Sequence, residues 1–455
     1  MTEKQRQIYL KRLGARILSE ANDLKRTPEA MASELGLGEE VVLSVMRGES
    51  SLEDARSLAQ RIADTYPVTL SKLWVEHDDT DDGVRVSRAA DTKASSRIFD
   101  RPDRSGTKKP YYEYRDTAMS RNGPFKPEWI KELRVVTGKD PDNPDVAYNN
   151  GHLLHQVTFF IGPVNFYWQT NGKRHCAELN TGDSNFITPF VPHSFTSRDP
   201  DQPGLIVAVT FSAQVHRSLD ELGALDPDDA DALAGDMRDG AIFAVRLKRL
   251  MAEECLDERG MLDAMTAKSI SVDRAQALIE GAAPTGEECI LLARILSVQP
   301  RDLMAETMAP ESDVVVQYRD TAPSRLYPSD NDPTYKIRPL ARHSHQAHAK
   351  GFELLVLAHK GALLRHHLHQ YVYNFGGAPT RLSWAGGRET ILNPGDSAYF
   401  RPMVEHRFSR IDDEAEPRLV VIRVPGNLTQ EAVDEYAGFN PERRSRAILE
   451  TSRWF

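Results

Sequence analysis

Hydrophobic positions along the chain change period, from helical to strand-like, and the change happens twice. Residues 5–20 place Ile8, Leu10, Leu13, Ile17 and Leu18 at helical spacing, and Thr27-Pro28-Glu29 reads as an N-cap with Pro at the first helical position. Ala32, Leu35, Leu37, Val41, Val42, Val45 and Met46 then predict helix, turn, helix, and 51–74 continues helically. Farther on, 157–161, 165–168 and 205–209 are β-branched and aromatic runs between Gly, Pro, Asn and Asp turns, which predicts short antiparallel strands. A second helical region spans about 244–306, where Ser271-Val272-Asp273 precedes a helix, and strands return at 371–373, 381–384 and 419–422.

The two halves carry a duplication. Tyr114-Arg115-Asp116-Thr117-Ala118-Met119-Ser120-Arg121 recurs as Tyr318-Arg319-Asp320-Thr321-Ala322-Pro323-Ser324-Arg325. Leu179-Asn180-Thr181-Gly182-Asp183, Pro189 and His193 are echoed by Leu392-Asn393-Pro394-Gly395-Asp396, Pro402 and His406. The predicted fold class is therefore α+β, with a helix-turn-helix-like helical domain followed by a small jelly-roll β-barrel, the pair occurring twice. The expected boundaries are 1–76 helical, 77–106 a linker or arm rich in Asp, Ser and Arg, 107–215 the first barrel, 216–310 helical, 311–430 the second barrel and 431–455 a tail.

Composition narrows the chemistry. No window approaches the ~20 apolar residues of a membrane span and the first residues lack an apolar signal core, so the expected address is the cytoplasm, with no membrane partner. Cys176, Cys255 and Cys289 stand too far apart for a disulfide framework or a CxxC knuckle, leaving His, Asp, Glu and amides as metal donors. A formal charge of -10 argues against a nucleic-acid partner.

The candidate chemistry lies in Tyr148-Asn149-Asn150-Gly151-His152-Leu153-Leu154-His155-Gln156, with His193 later in Pro192-His193-Ser194. Two histidines and an oxygen donor on neighbouring strands are parts of a non-haem iron site with open positions. In a regular strand His152 and Gln156 stand roughly 13 Å apart along the backbone, beyond the reach of one metal. Gly151 supplies the flexible backbone for a bulge or loop-to-strand junction that swings His152 inward. Each residue alone also has a plain structural reading, as a surface or hydrogen-bonded side chain.

Asn149-Asn150-Gly151-His152 with Gly182-Asp183-Ser184 and Pro192-His193-Ser194, behind a helix-turn-helix module, resembles the cupin phosphonate dioxygenases over nearly the whole chain. The resemblance implies a bi-cupin fold and an Fe(II) cofactor held by His152, Gln156 and His193. In the hydroxyethylphosphonate dioxygenase branch a Glu just after Gly-Asp-Ser completes the ligands, and this chain has Ile187 there. In the methylphosphonate synthase branch a Gln four residues after the first His does so, and Gln156 matches it. The implied reaction is O2-dependent cleavage of the C–C bond of 2-hydroxyethylphosphonate to methylphosphonate and CO2 or bicarbonate; the alternative products are hydroxymethylphosphonate and formate.

By the same resemblance Arg104, Tyr114 and Asn149 bind the phosphonate substrate, with Arg101 or Lys108 as replacements for Arg104. Lys25 matches a helical-domain lysine that enters a neighbouring subunit's site, which implies a homo-oligomer, a tetramer or a dimer. In the second copy His366, Gln370 and His406 repeat the ligand spacing, but Leu363-Leu364-Arg365 replaces Asn149-Asn150-Gly151, so a structural or vestigial barrel is expected there. A helix-turn-helix joined to a cupin also describes a class of transcription regulators. The acidic Glu39 and Glu40 in the candidate recognition helix disfavour that rival.

Overall fold

The computed structural model describes residues 3–234, 242–304 and 312–450, and the chain divides into two units, Met1–Ala213 with Ser312–Phe455, and Gln214–Glu311. Parts of the predicted second helical domain and tail, 235–241, 305–310 and 451–455, lie outside the described residues. Among the described residues no helix is long and apolar enough to cross a membrane.

The larger unit opens with the helices Glu3–Asp23, Pro28–Leu35, Glu39–Met46, Leu52–Thr65 and Leu70–Leu73. Their apolar faces, including Leu13, Ile17, Val42, Val45, Leu58 and Ile62, meet in one core. The predicted cap is present, with Thr27 accepting from the Ala30 N–H ahead of Pro28. In the smaller unit, helices from Ile242–Glu253 to Pro300–Leu303 bury Leu247, Met261, Met265, Leu278 and Leu292, and Ser271 caps Val272–Ile279.

Two pairs of antiparallel sheets fill the rest of the larger unit. In the first pair a seven-stranded sheet runs in the order Val314–Gln317, Ser184–Ile187, Leu154–Ile161, Leu205–Ser212, Phe125–Glu132, Lys108–Asp116 and Arg97–Pro102. It shares a core of Phe160, Phe166, Ile187, Phe195 and Ile206 with the three-stranded sheet Lys173–Leu179, Val164–Thr170 and His193–Ser197. The second pair repeats this, with a seven-stranded sheet from Val84–Ser87 to Arg325–Tyr327 over a three-stranded one. The two seven-stranded sheets bury a further core between them, in which Val157, Phe159 and Val207 face Tyr371, Val420 and Ile422. Strand alternation explains this layering: odd residues of Leu154–Ile161 point to the other sheet pair, and even residues point to the pair's own interior.

Two edge strands cross over. Val84–Ser87, inside the segment read as a linker, pairs with Ser397–Phe400 of the second sheet pair. Val314–Gln317, read as the start of the second barrel, pairs with Ser184–Ile187 of the first. The crossing is pinned by duplicated residues: Ala89 N–H and Arg88 bond Asp396, while Arg319 N–H donates to Asp183 Oδ1 at 2.8 Å. Ala118 N–H donates to Ser397 Oγ and Ala341 N–H to Ser184 Oγ, both at 2.8 Å. The repeated Gly-Asp-Ser turns therefore tie the two copies together and cover edges that would otherwise stay open.

Candidate active site

Leu154–Ile161 begins two residues after His152, so His152 lies in the turn ahead of the strand rather than on it. Gly151 makes that turn, with φ of 74°. A Cβ there would fall 2.4 Å from the Phe190 carbonyl carbon, and the Phe190 N–H donates to His152 O at 2.9 Å. The bend brings His152 Nε2 to 3.3 Å from Gln156 Oε1. His193 enters from the first residue of His193–Ser197, its ring centroid 5.4 Å from that of His152 and nearly perpendicular to it.

Both imidazoles are held by backbone carbonyls: His152 Nδ1 is 3.1 Å from Leu154 O, and His193 Nδ1 is 2.8 Å from Val191 O. A carbonyl only accepts, so Nδ1 carries the proton in each ring and Nε2 presents a lone pair. Gln156 donates its Nε2–H to Thr158 Oγ1 at 2.8 Å, which turns Oε1 toward His152. The His152 and Gln156 atoms that face each other are then both acceptors, a pairing that a cation relieves. Burial depresses the His193 pKa to about 4, with the Val191 carbonyl opposing, so its imidazole stays neutral at physiological pH. These donors fit a non-haem divalent metal with open positions. Among the described residues no cluster of three His, Cys, Asp or Glu side chains offers an alternative.

Around these donors lies a cavity of about 240 Å³, lined among others by Arg101, Tyr114, Lys126, Asn149 and Thr210. Asn149 bridges to His193 twice, accepting the His193 N–H on Oδ1 at 2.9 Å and placing Nδ2 3.0 Å from His193 Nε2. Tyr114 is pushed above the ordinary phenol range by burial, so it remains a hydroxyl that can donate to an anion.

Two predicted residues stand elsewhere. Arg104 belongs to the tight turn between Arg97–Pro102 and Lys108–Asp116, where its exposed guanidinium pairs with Asp145; Arg101, on the strand itself, lines the cavity instead. Lys25 does not line the cavity of its own chain; its backbone is left-handed, with φ of 59°, and its Nζ lies 3.4 Å from Asn22 O. Sequence reasoning missed Lys126, Thr158 and Thr210. Thr158 carried a signal, since it stands two residues from Gln156 on one strand face. Lys126 and Thr210 lie on strands whose facing sense the sequence left open.

No family model matches the chain. It is 36% identical to methylphosphonate synthase of Nitrosopumilus maritimus (strain SCM1) over 98% of this chain and 96% of that one.

The chain belongs to the family of methylphosphonate synthase and 2-hydroxyethylphosphonate dioxygenase.

The structure of the Streptomyces albus dioxygenase of this family, with 2-hydroxyethylphosphonate and Fe(II) bound, superimposes with a TM-score of 0.88 at 34% identity, covering 98% of this chain and 99% of that one. A shorter similarity, 28% identity over 41% of this chain and 89% of the other, links it to (S)-2-hydroxypropylphosphonic acid epoxidase of Streptomyces wedmorensis.

Proposed function

We propose that this chain is an Fe(II)-dependent oxygenase that cleaves the C–C bond of 2-hydroxyethylphosphonate with O2, giving methylphosphonate and CO2 or bicarbonate. The observation that carries the product is the donor set: Gln156 Oε1 beside His152 Nε2, with the apolar Ile187 as its strand partner. One O2 balances the substrate against methylphosphonate plus carbonic acid, so the reaction needs no external reductant.

His152, Gln156 and His193 are the assigned metal ligands. Bound Fe(II) supplies the activation of O2 and two positions at which a hydroxyl and a phosphonate oxygen can chelate. Asn149, Tyr114 and Arg101 line the cavity as donors for the phosphonate oxygens, and Lys126 adds a second cation. The Asn149 Nδ2, which rests on His193 Nε2, would be free to donate to the substrate if that nitrogen held metal. Phe195 and Ile130 limit water on the apolar wall. Lys25 is assigned to the site of a neighbouring subunit in a homo-oligomer, which agrees with its place outside its own cavity.

In the same reading each sheet pair is a cupin, the helical sets are helix-turn-helix-like packing modules, and the protein is a bi-cupin. A DNA-binding role is disfavoured, because Glu39 and Glu40 fill the first turn of Glu39–Met46 and Arg47 pairs with Glu40 and Glu49.

Phosphorus NMR of products after anaerobic Fe(II) loading, addition of 2-hydroxyethylphosphonate and exposure to O2 tests the assignment. Methylphosphonate is expected. Hydroxymethylphosphonate would move the chain to the dioxygenase branch, and unchanged substrate with verified iron occupancy would overturn the proposal.

A further inference from the structure

The second sheet pair repeats the placement of the three donor side chains, although among the described residues His366 Nδ1 has no hydrogen-bond partner where His152 Nδ1 meets Leu154 O. His366 Nε2 lies 3.1 Å from Gln370 Oε1, and the His366 and His406 rings sit 6.1 Å apart, again nearly perpendicular. His406 Nδ1 contacts Val404 O at 2.9 Å, as His193 Nδ1 contacts Val191 O. By spacing and backbone this is a second set of two imidazoles and one amide.

What differs is the residue facing the glutamine on the neighbouring strand. Gln156 is partnered by Thr210, whose hydroxyl turns away to donate to Lys126 O at 3.1 Å. Gln370 is partnered by Arg423, whose Nε donates to Gln370 Oε1 at 2.8 Å. The amide is turned as well: Gln370 Nε2 lies 2.9 Å from His406 Nε2, because Val372 stands where Thr158 would take that proton. The Arg423 guanidinium also lies 4.8 Å from the centre of the Phe352 ring. In the first sheet pair two acceptors face each other and call for a cation; in the second a fixed cation already supplies the charge and the hydrogen bond.

We infer that His366, Gln370 and His406 form a latent site for a divalent d-block cation, and that the guanidinium of Arg423 occupies it in place of the metal. The chain then holds metal in one sheet pair although it encodes ligands in both. Arg423→Thr installs the residue present at the duplicate position, frees Gln370 Oε1 and removes the repelling charge. Two imidazoles and an amide oxygen then suit Co(II), Fe(II) or Zn(II).

The test uses the full-length chain with His152→Ala and His193→Ala, so that the first site contributes nothing and the fate of the proposed active site does not enter the result. With Arg423 intact this chain should take up no stoichiometric Co(II) on equilibrium dialysis. Adding Arg423→Thr should restore one equivalent per chain with visible Co(II) absorption, and His406→Ala should remove it again. Co(II) bound through His406 while Arg423 is intact would overturn the inference. A folded Arg423→Thr chain that binds none would overturn it too; if that variant melts early, Arg423→Ala is read in its place, and the arm with Arg423 intact requires no change there.

Discussion

Gln156 and Ile187 are direct partners across adjacent antiparallel strands, so their side chains rise from the same level of the same face. The site can draw its third donor from either strand, because directly paired Cβ atoms stand only ~5 Å apart. Ile187 is fully buried beside Phe160, Phe166 and Val191. A glutamate there is a buried charge when no cation is present and a ligand when one is. Ile187→Glu should therefore lower the Tm of metal-free protein, and Fe(II) or Co(II) should raise that Tm by more than it raises the unsubstituted protein's. Gln156→Ala should lose iron and the double substitution should regain it, measured as iron per chain. Full iron content in Gln156→Ala would remove that residue from the ligand set.

Thr158 decides which end of the Gln156 amide faces the histidines. Its hydroxyl is fully buried and takes the Gln156 Nε2–H at 2.8 Å. Thr158→Val deletes the acceptor and lets the amide nitrogen turn inward, where it has no lone pair to offer. Metal affinity should fall by ~10–100-fold, the usual effect of losing a hydrogen bond behind a ligand. Thr158→Ser should recover most of it in a Co(II) titration, whereas a purely steric role for Thr158 would make the isosteric Val the milder change.

The turn before His152 makes a sharper demand. Gly151 combines a φ of 74° with the Phe190 backbone at 2.4 Å from any added Cβ, so alanine meets both strain and a clash with main chain. Gly151→Ala should cost more than ~1 kcal/mol of stability and should displace His152. Iron content should drop while the far-UV circular dichroism of the sheets stays unchanged. An unaltered iron content would mean that His152 reaches its place without this turn.

The need for that turn was visible in the sequence, since four strand steps separate His152 from Gln156 and only a bend before the strand brings them together. The duplication was visible too, because Gly182-Asp183-Ser184 and Gly395-Asp396-Ser397 repeat as strings. The destination of Val84–Ser87 and Val314–Gln317 was not: period-two patterning shows which residues are buried and does not show in which sheet. Asp103-Arg104-Ser105-Gly106 carried a turn signature, with Asp103 Oδ1 accepting from the Ser105 and Thr107 N–H groups and Gly106 at φ of 77°, and that signature separates Arg104 from the strand that carries Arg101 to the cavity. The contrast between Thr210 and Arg423 needed the strand register, which pairs residues dozens of positions apart.

The assignment of Lys25 to a neighbouring subunit makes a prediction about mixed assemblies. Lys25→Ala and His193→Ala should each abolish product formation alone. Co-assembled, they should recover part of the activity, because some sites then combine an intact His193 with an intact Lys25 from the other subunit. Phosphorus NMR of products from the verified mixture reads this, and complete inactivity would exclude a shared site.

Glu132 gives the pH dependence of stability a limb of its own. It is 1% exposed, it pairs in register with Tyr112, and among the described residues neither carboxylate oxygen has a hydrogen-bond partner. Burial holds its pKa well above the usual carboxylate range, so the folded protein keeps a proton that the unfolded chain releases. Stability from this group is present at low pH and is lost as pH rises toward the folded-state value. The buried imidazoles act in the opposite sense: His193, depressed to about 4, and His406, to about 3, contribute stability above the ordinary histidine range that is lost as pH falls. Glu132→Gln removes the first limb and leaves the second. Its Tm should exceed that of the unsubstituted protein at about pH 8 and converge with it toward about pH 5. Parallel Tm profiles for the two proteins across that range would mean that Glu132 does not hold its proton in the folded state.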